Sequence, residues 1–287
     1  MAASVREKFR GGNVRAIPWL TMRGMISPLC ARQIAAQTAG QARRVAIETV
    51  PETGSTNADL LSRAAQRDFA APLLLAAESQ HAGRGRAGRT WHSAPGSSLT
   101  FSLAWPFRRS LPQLVGLPLA VGVAVAETLN ALGVAARLKW PNDVLLEGEK
   151  LAGILVEIAP PGEDRVTAVI GIGINLALPP ELRSRIDRPA AALPSLQADR
   201  NALLAALLNA LAEACVEFEA GGVAAFAARW NALHAWRGEQ VAVLDGARTL
   251  HQGMAAGIDD SGRLLLDTDA GRVAVLSGDV SLRRAGA

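Results

Sequence analysis

The sequence predicts a mixed α and β body over residues 45–235, followed by a small all-β barrel over 236–287. Three observations predict it. Between 45 and 235, segments of strand period and helix period succeed one another. After Gln240 only short strand-like runs remain, separated by the turn signals Asp-Gly, Asp-Asp-Ser-Gly and Asp-Ala-Gly. The chain is 49% hydrophobic yet has no tyrosine and 4% aromatics, so Ala, Leu, Val and Ile must build the core.

The first 44 residues are expected to be an extension, partly disordered, because Gly, Arg and Pro are scattered without a period through residues 1–30. Within it, 27–40 opens on Ser27-Pro28, carries helix formers and stops at Gly40, which predicts a helix. "RRVAIETV" (43–50) reads as a strand. "STNADLLSRAAQR" (55–67) reads as a helix: Ser55, Thr56 or Asn57 can accept from free backbone N–H groups, and Leu60, Leu61, Ala64 and Ala65 form its apolar face. "APLLLAAES" (71–79) is a buried strand and "SSLTFSLAW" (97–105) an alternating one. A long helix is predicted over 112–132, ending at Gly133. After "ARLKW" (136–140), two apolar runs within 144–159 flank Glu147-Gly148-Glu149, a plausible hairpin turn. "RVTAVIGIGINL" (165–176) is a further buried strand. An amphipathic helix over 200–222 ends at Gly221-Gly222, and the all-β character begins beyond "RWNALHAWRGE" (229–239).

Composition excludes several functions. Residues 1–46 hold eight basic side chains against Glu7 alone, a net +7; the whole-chain charge of +4 then leaves the other 241 residues at −3. A slightly acidic body argues against nucleic acid as the partner. The apolar run 114–126 is too short for a bilayer, which needs ~20 residues, and continues into Glu127 and Asn130, so a buried core helix is expected and no membrane. No secretory signal is visible. Cys30 and Cys215 lie outside any metal-ligand spacing and suit a reduced compartment. The expected location is the cytoplasm.

Four features bear on chemistry. In the loop 80–91, Gly83, Gly85 and Gly88 alternate with Arg84, Arg86 and Arg89 between two predicted strands. Glycine lets backbone N–H groups approach an anion, and arginine supplies planar multidentate donors. No Gly-Lys-Ser/Thr follows, so this is no P-loop, and by composition alone a solvated surface loop stays open. "KWPNDV" (139–144), taken alone, reads better as a turn, with Pro141 stiffening the chain and Asn142 and Asp143 good turn formers. Lys150 follows the predicted hairpin turn, where most lysines are simply solvated. The glycines of "GIGIN" (171–175) suit packing, and Asn175 a strand end.

Taken together, "GSTN" (54–57), "QHAGRGRAGRTW" (80–91), "KWPND", "KLAGILVE" (150–157) and "GIGIN" occur in an order and spacing that resembles the biotin protein ligases. The resemblance runs from about residue 45 to the C-terminus. It implies an α+β fold: a mixed central sheet flanked by helices, related to lipoate ligases and class II aminoacyl-tRNA synthetases, then an SH3-like barrel. No helix-turn-helix with a β-wing is found in the first 45 residues, so a monofunctional ligase without a DNA-binding domain is expected.

The implied reaction joins biotin to ATP as biotinyl-5′-AMP, then passes biotin to a lysine of the biotin carboxyl carrier protein of acetyl-CoA carboxylase. ATP and Mg²⁺ are implied, without a fixed protein metal site. By the same resemblance Lys150 and Arg86 are catalytic, and Asp143 lies near the incoming amine. Ser55, Thr56, Gln80 and neighbouring Asn57 would serve the ureido end of biotin. Gly83, Gly85 and Gly153 would allow close packing, with Arg84, Arg86 and Lys150 at the carboxylate. Arg84, Arg86, Arg89, Trp91, Asn142, Lys150, Asn175 and, from the barrel, Arg283 would meet ATP or the adenylate. The enzyme would be a monomer or homodimer. The alternatives are a lipoate or octanoate ligase on the related fold, a nucleic-acid-binding regulator using the basic start, and an interaction module using the barrel.

Overall fold

The computed structural model describes residues 26–66, 69–160, 165–186, 189–278 and 280–285. The poor order expected over residues 1–30 falls outside these for 1–25, whereas Leu29 is buried in the core and Cys30 is held by Asn201. In chain order the elements are α1 (Ala31–Ala35), β1 (Ala46–Thr53), α2 (Thr56–Gln66), β2 (Leu73–Gln80), β3 (Ser98–Phe107), α3 (Leu117–Ala131), β4 (Arg137–Lys139), β5 (Asp143–Leu146), β6 (Glu149–Ile158), β7 (Val166–Asn175), α4 (Pro180–Arg183), α5 (Arg200–Gly221), α6 (Ala224–Leu233) and five strands, β8 (Gln240–Asp245), β9 (Arg248–Ile258), β10 (Leu264–Thr268), β11 (Gly271–Val275) and β12 (Val280–Arg284). The first seven strands form one mixed sheet in the order β1-β2-β3-β7-β6-β5-β4; β1 and β2 are parallel across α2 and the other pairs antiparallel. The last five form an antiparallel sheet in the order β11-β10-β9-β8-β12.

The alternation of side chains along each strand decides what each face does. On β3, Leu99, Phe101, Leu103, Trp105 and Phe107 enter the main core, and on β7 so do Ala168, Ile170, Ile172 and Ile174. The intervening residues, Ser98, Thr100 and Ser102 on β3 and Gly171, Gly173 and Asn175 on β7, face the other way. That second face has its own smaller core, where Leu60 and Ala64 of α2 pack on Leu73, Leu75, Ala104 and Val169. Because both faces are covered at β2, its sequence is a continuous apolar run. Beyond the N-terminal start of α2 the second face is left open, and the functional cavity lies there.

The main face is roofed by α3 and α5. From Leu119 to Ala126 every residue of α3 is buried, as expected of a helix apolar all round. The stretch Leu111–Ala131 and α5 both have the length and apolarity of a membrane span, but most of each is packed against the sheet and its neighbours. The predicted helix 112–132 is broken: a short 3-10 turn, Leu111–Leu114, precedes Gly116 at φ 88°, and the α-helix starts one residue later. A side chain at Gly116 would also strike Val223. At the other predicted turn, Glu147 and Gly148 both have positive φ (52° and 84°), the pattern of a two-residue type I′ hairpin turn between β5 and β6.

Tertiary contacts reshape the predicted helix at 27–40. Only Ala31–Ala35 is α-helical, followed by a 3-10 turn at Gly40–Arg44. The segment is held by α5. Arg200, 2% exposed, donates to Glu78 (2.7 Å) and to the Ser27 carbonyl, while Asn201 brackets Pro28 and Cys30. Leu29, Ile34 and Ala42 thereby join the main core.

The helix α6 was not anticipated. Its Asn231 side chain donates to and accepts from the Ile258 backbone of β9, and a Cβ at Gly257 would occupy that space. Val241, Val243, Ile258, Leu264 and Leu282 of the small sheet are continuous with the main core. Just after α6, His234 is buried against Trp230 with neither ring nitrogen hydrogen-bonded among the described residues. Burial, with a smaller push from Arg237, lowers its imidazole from 6.5 to about 4.

The unfolded chain therefore binds a proton that folded His234 refuses. Stability from this group is complete above pH 6.5 and is lost as pH falls toward about 4, by up to ~3 kcal/mol. The thermal unfolding midpoint should fall across that window, and His234→Phe should flatten the fall. An unchanged slope in the variant would place the acid sensitivity elsewhere.

Candidate active site

The cavity floor is made of backbone. Gly153 of β6 and Gly173 of β7 are cross-strand partners, and Gly171 lies two residues along, opposite Leu155. The Trp91 indole lies on this floor: a Cβ at Gly173 would stand 2.3 Å from its ring, and one at Gly153 3.4 Å. A Cβ at Gly171 would stand 2.3 Å from the Asn57 amide. The glycines of "GIGIN" are thus required by what rests on them, not by backbone angle.

A polar cluster fills one end. Thr56 donates through N (2.7 Å) and Oγ1 (3.1 Å) to Gln80 Oε1, and its hydroxyl lies 2.6 Å from Ser102 Oγ. Ser102 donates to Asn57 Oδ1 at 2.5 Å, and Asn57 Nδ2 donates to Glu157 at 2.8 Å. Ser55, Thr56 and Asn57 are buried at the start of α2, so the helix entry that the sequence offered as a capping motif is also a wall of the cavity. Arg84 closes the chain of contacts at 3.6 Å from Glu157.

The Gly/Arg loop is a tight hairpin. Gly85 N–H donates to the Arg89 carbonyl (2.7 Å), Trp91 N–H to Gly83 (2.9 Å), and Arg84 bridges Thr90. Its tip is a short turn, Arg86–Gly88, with Ala87 and Gly88 at positive φ. Arg86 leaves the tip in two directions. It donates to Asn142 Oδ1 (3.2 Å) and to the carbonyl of Gly278, between β11 and β12.

The charged end is built on the β4–β5–β6 meander. Asp143 accepts from Lys150 Nζ at 2.5 Å through Oδ1 and from Lys139 Nζ at 3.2 Å through Oδ2. Burial alone would raise this carboxyl. The ammonium groups of Lys150 and Lys139 together outweigh burial and hold it below the usual carboxylate range. Asn142 Nδ2 donates to Ile154 O (2.8 Å), and Asn175 Nδ2 to Ala191 O (3.1 Å), which fixes a returning segment beside Lys150.

These parts enclose about 400 Å³. Of the residues singled out from sequence, Ser55, Thr56, Asn57, Gln80, Arg84, Gly85, Arg86, Arg89, Trp91, Asn142, Asp143, Lys150, Gly153 and Asn175 line it. Gly83 does not; a Cβ there would meet the Trp91 carbonyl at 2.5 Å, so it closes the hairpin instead. Arg283 does not either. On β12 the buried side chain is Leu282, and strand alternation turns Arg283 outward, leaving Val280, Ser281 and Leu282 as the contribution of that strand. Sequence reading missed Ser102, Lys139, Arg185 and this barrel wall. The alternation of "SSLTFSLAW" carried the only signal for Ser102.

The profile of the Biotin/lipoate A/B protein ligase family matches residues 50–175, and that of the Biotin protein ligase C terminal domain matches 238–283. The biotin–[acetyl-CoA-carboxylase] ligase of Mycobacterium tuberculosis is 38% identical over 243 residues, covering 82% of this chain and 88% of that protein. The bifunctional ligase/repressor BirA of Escherichia coli is 36% identical over 254 residues, covering 88% and 78%. A solved biotin protein ligase from Aquifex aeolicus, in complex with biotin and ATP, superposes with a TM-score of 0.68 at 29% identity, over 84% of this chain and 99% of that one. The chain belongs to the biotin protein ligases, and its terminal five-stranded sheet is their SH3-like domain.

Gly173→Ala adds one methyl group, yet it should displace the Trp91 ring and cost roughly 1–3 kcal/mol, the usual penalty for overpacking. Thermal unfolding together with tryptophan emission checks this; an unshifted midpoint and spectrum would refute the close stacking.

Proposed function

We propose that this cavity joins biotin to ATP and then transfers the biotinyl group to a lysine of the biotin carboxyl carrier protein of acetyl-CoA carboxylase. The observation that carries the reading is the convergence of Arg84, Arg86, Arg89 and Lys150 with a neutral polar cluster in one cavity. Residues 45–235 would be the catalytic domain and 236–287 the barrel. The proposed setting is the cytoplasm, as a monomer or homodimer, with neither nucleic acid nor membrane as partner.

In the first step a biotin carboxylate oxygen bonds to the α-phosphorus of ATP, and the phosphorus–oxygen bond to pyrophosphate breaks. Two anions must approach, so fixed positive charge is the main requirement. Lys150 and Arg86 supply it at the reacting centre, with Arg84 and Arg89 beside them. Gln80 Oε1 is committed to Thr56, which leaves its N–H groups for the ureido carbonyl, with Ser55 and Thr56 adjacent. Trp91, Asn142 and Asn175 would take the adenine. Among the described residues no three His, Cys, Asp or Glu side chains converge as a metal site, so Mg²⁺ would arrive on the phosphate oxygens it prefers. A lipoate ligase would need an apolar end where Thr56, Asn57, Gln80 and Ser102 stand.

Mass spectrometry of a carrier domain incubated with the protein, biotin and Mg-ATP tests the reading. A biotin-sized gain on one lysine is expected; no gain with biotin, but one with lipoate, would replace the substrate. Lys150→Ala should lose ~10²-fold or more in both steps, as when one oxyanion donor is removed. Pyrophosphate release at the parent rate would exclude Lys150 from the chemistry. Arg86→Gly loses both the Asn142 and the Gly278 contacts and should let the adenylate escape. Stray labelling of lysines on a bystander protein measures this, and clean labelling of the carrier alone would overturn it.

A further inference from the structure

Asp143 carries two ammonium groups, although the reading above needs only one of them at the reacting anions. Lys150 enters from β6 and Lys139 from β4, where Lys139 and Asp143 face each other across the β4–β5 ladder. Their surroundings differ. Lys150 is 24% exposed and stands on the cavity floor next to Gly153. Lys139 is 18% exposed, and its ammonium lies 5.2 Å from the centre of the Trp236 ring, which it shares with Arg284 at 5.5 Å. A cation over an indole face is held from its second side.

Among the described residues, the other charged groups of the surrounding elements have other partners or share the cavity. Arg137 of β4 donates to the Ala232 carbonyl and Glu127 of α3 pairs with Arg229. Glu149 sits at the β5–β6 turn, Glu157 of β6 pairs with Arg84, Arg86 reaches neighbouring Asn142, and Arg86 and Arg185 line the same cavity. The direct ion pairs of Asp143 are with the two lysines, of which Lys139 is also held over an indole face.

We infer that Lys139 is a positioning residue for the transfer step, holding the Asp143 carboxylate toward the incoming amine once Lys150 has turned to the carboxylate–phosphate junction. The inference rests on the ligase reading. In transfer, the acceptor nitrogen forms a bond to the biotinyl carbon, and the carbon–oxygen bond to phosphate breaks with its electron pair leaving on AMP. The acceptor ammonium gives up two protons in all, one before attack and one from the tetrahedral adduct. Asp143 accepts the first and passes it to solvent. With Lys150 engaged elsewhere and Lys139 absent, both lysine contacts that offset burial of Asp143 are lost, and its carboxyl would rise.

The test separates the two steps in the full chain. Transfer from preformed biotinyl-AMP to the carrier domain is followed in single turnover across the acidic and neutral range, and pyrophosphate release is measured in parallel. For Lys139→Met, transfer should fall ~10-fold or more at neutral pH, the lower end of what one proton-transfer group contributes. The loss should shrink as pH rises, because the acid limb moves upward with the carboxyl. Pyrophosphate release should change far less, and Lys139→Arg should restore the limb. Should Lys139→Met unfold early, Lys139→Gln, which keeps a donor to Oδ2 without the charge, reads the same limb. An unmoved limb, or a parallel fall of both steps at every pH, overturns the inference. A parent protein that fails to load the carrier would instead sink the ligase reading itself.

Discussion

No side chain fits at Gly171 or Gly173, and most of the site depends on that. The two positions lie on one face of β7, while Ile170, Ile172 and Ile174 between them anchor the strand in the main core. The strand therefore cannot retreat, and the glycines cannot be filled. The space they leave is taken by Asn57 and by the Trp91 ring. Asn57 in turn orders Ser102, Thr56 and Gln80, and Trp91 brings back the second arm of the Gly/Arg hairpin. A sheet face without side chains is the common support for both ends of the cavity.

The charges are arranged by a related economy. Few acids line the cavity, and Asp143 there is neutralised by two lysines. An anionic substrate entering it meets an excess of donors, several of which already hold neutral partners: Arg86 with Asn142 and the Gly278 carbonyl, Asn175 with Ala191. Such contacts keep side chains oriented, which limits the entropy lost when the substrate binds.

Most of this fold was legible because its strands are regular. The alternation in 97–105 and the apolar run in 165–176 marked two strands of the sheet, and the paired glycines at 221–222 marked the end of α5. What escaped depends on distant parts of the chain. The helix α6, "AAFAARWNAL", has an ordinary composition and earns its place through Asn231 and β9. The helix predicted at 27–40 shortened because Arg200 and Asn201, some 170 residues on, claim its first carbonyl and N–H groups. In the site, the Gly/Arg run stood out by residue type, and Lys150 only through the order and spacing of the motifs around it. Lys139 did not, since a lysine closing a short strand has no local mark, and partners such as Asp143 and Trp236 are named only by the folded chain. Arg283 was misjudged by one residue, the smallest slip a strand permits and enough to turn a side chain from the cavity to solvent.

The barrel is joined to the rest by more than the chain. The buried Trp140 indole donates to the Gly262 carbonyl, Arg86 reaches Gly278, and Val280 to Leu282 complete the cavity wall. In genetic terms, the codons for residues 280–282 encode part of the pocket. A stop codon just ahead of them would remove β12 and open the chamber to water on one side.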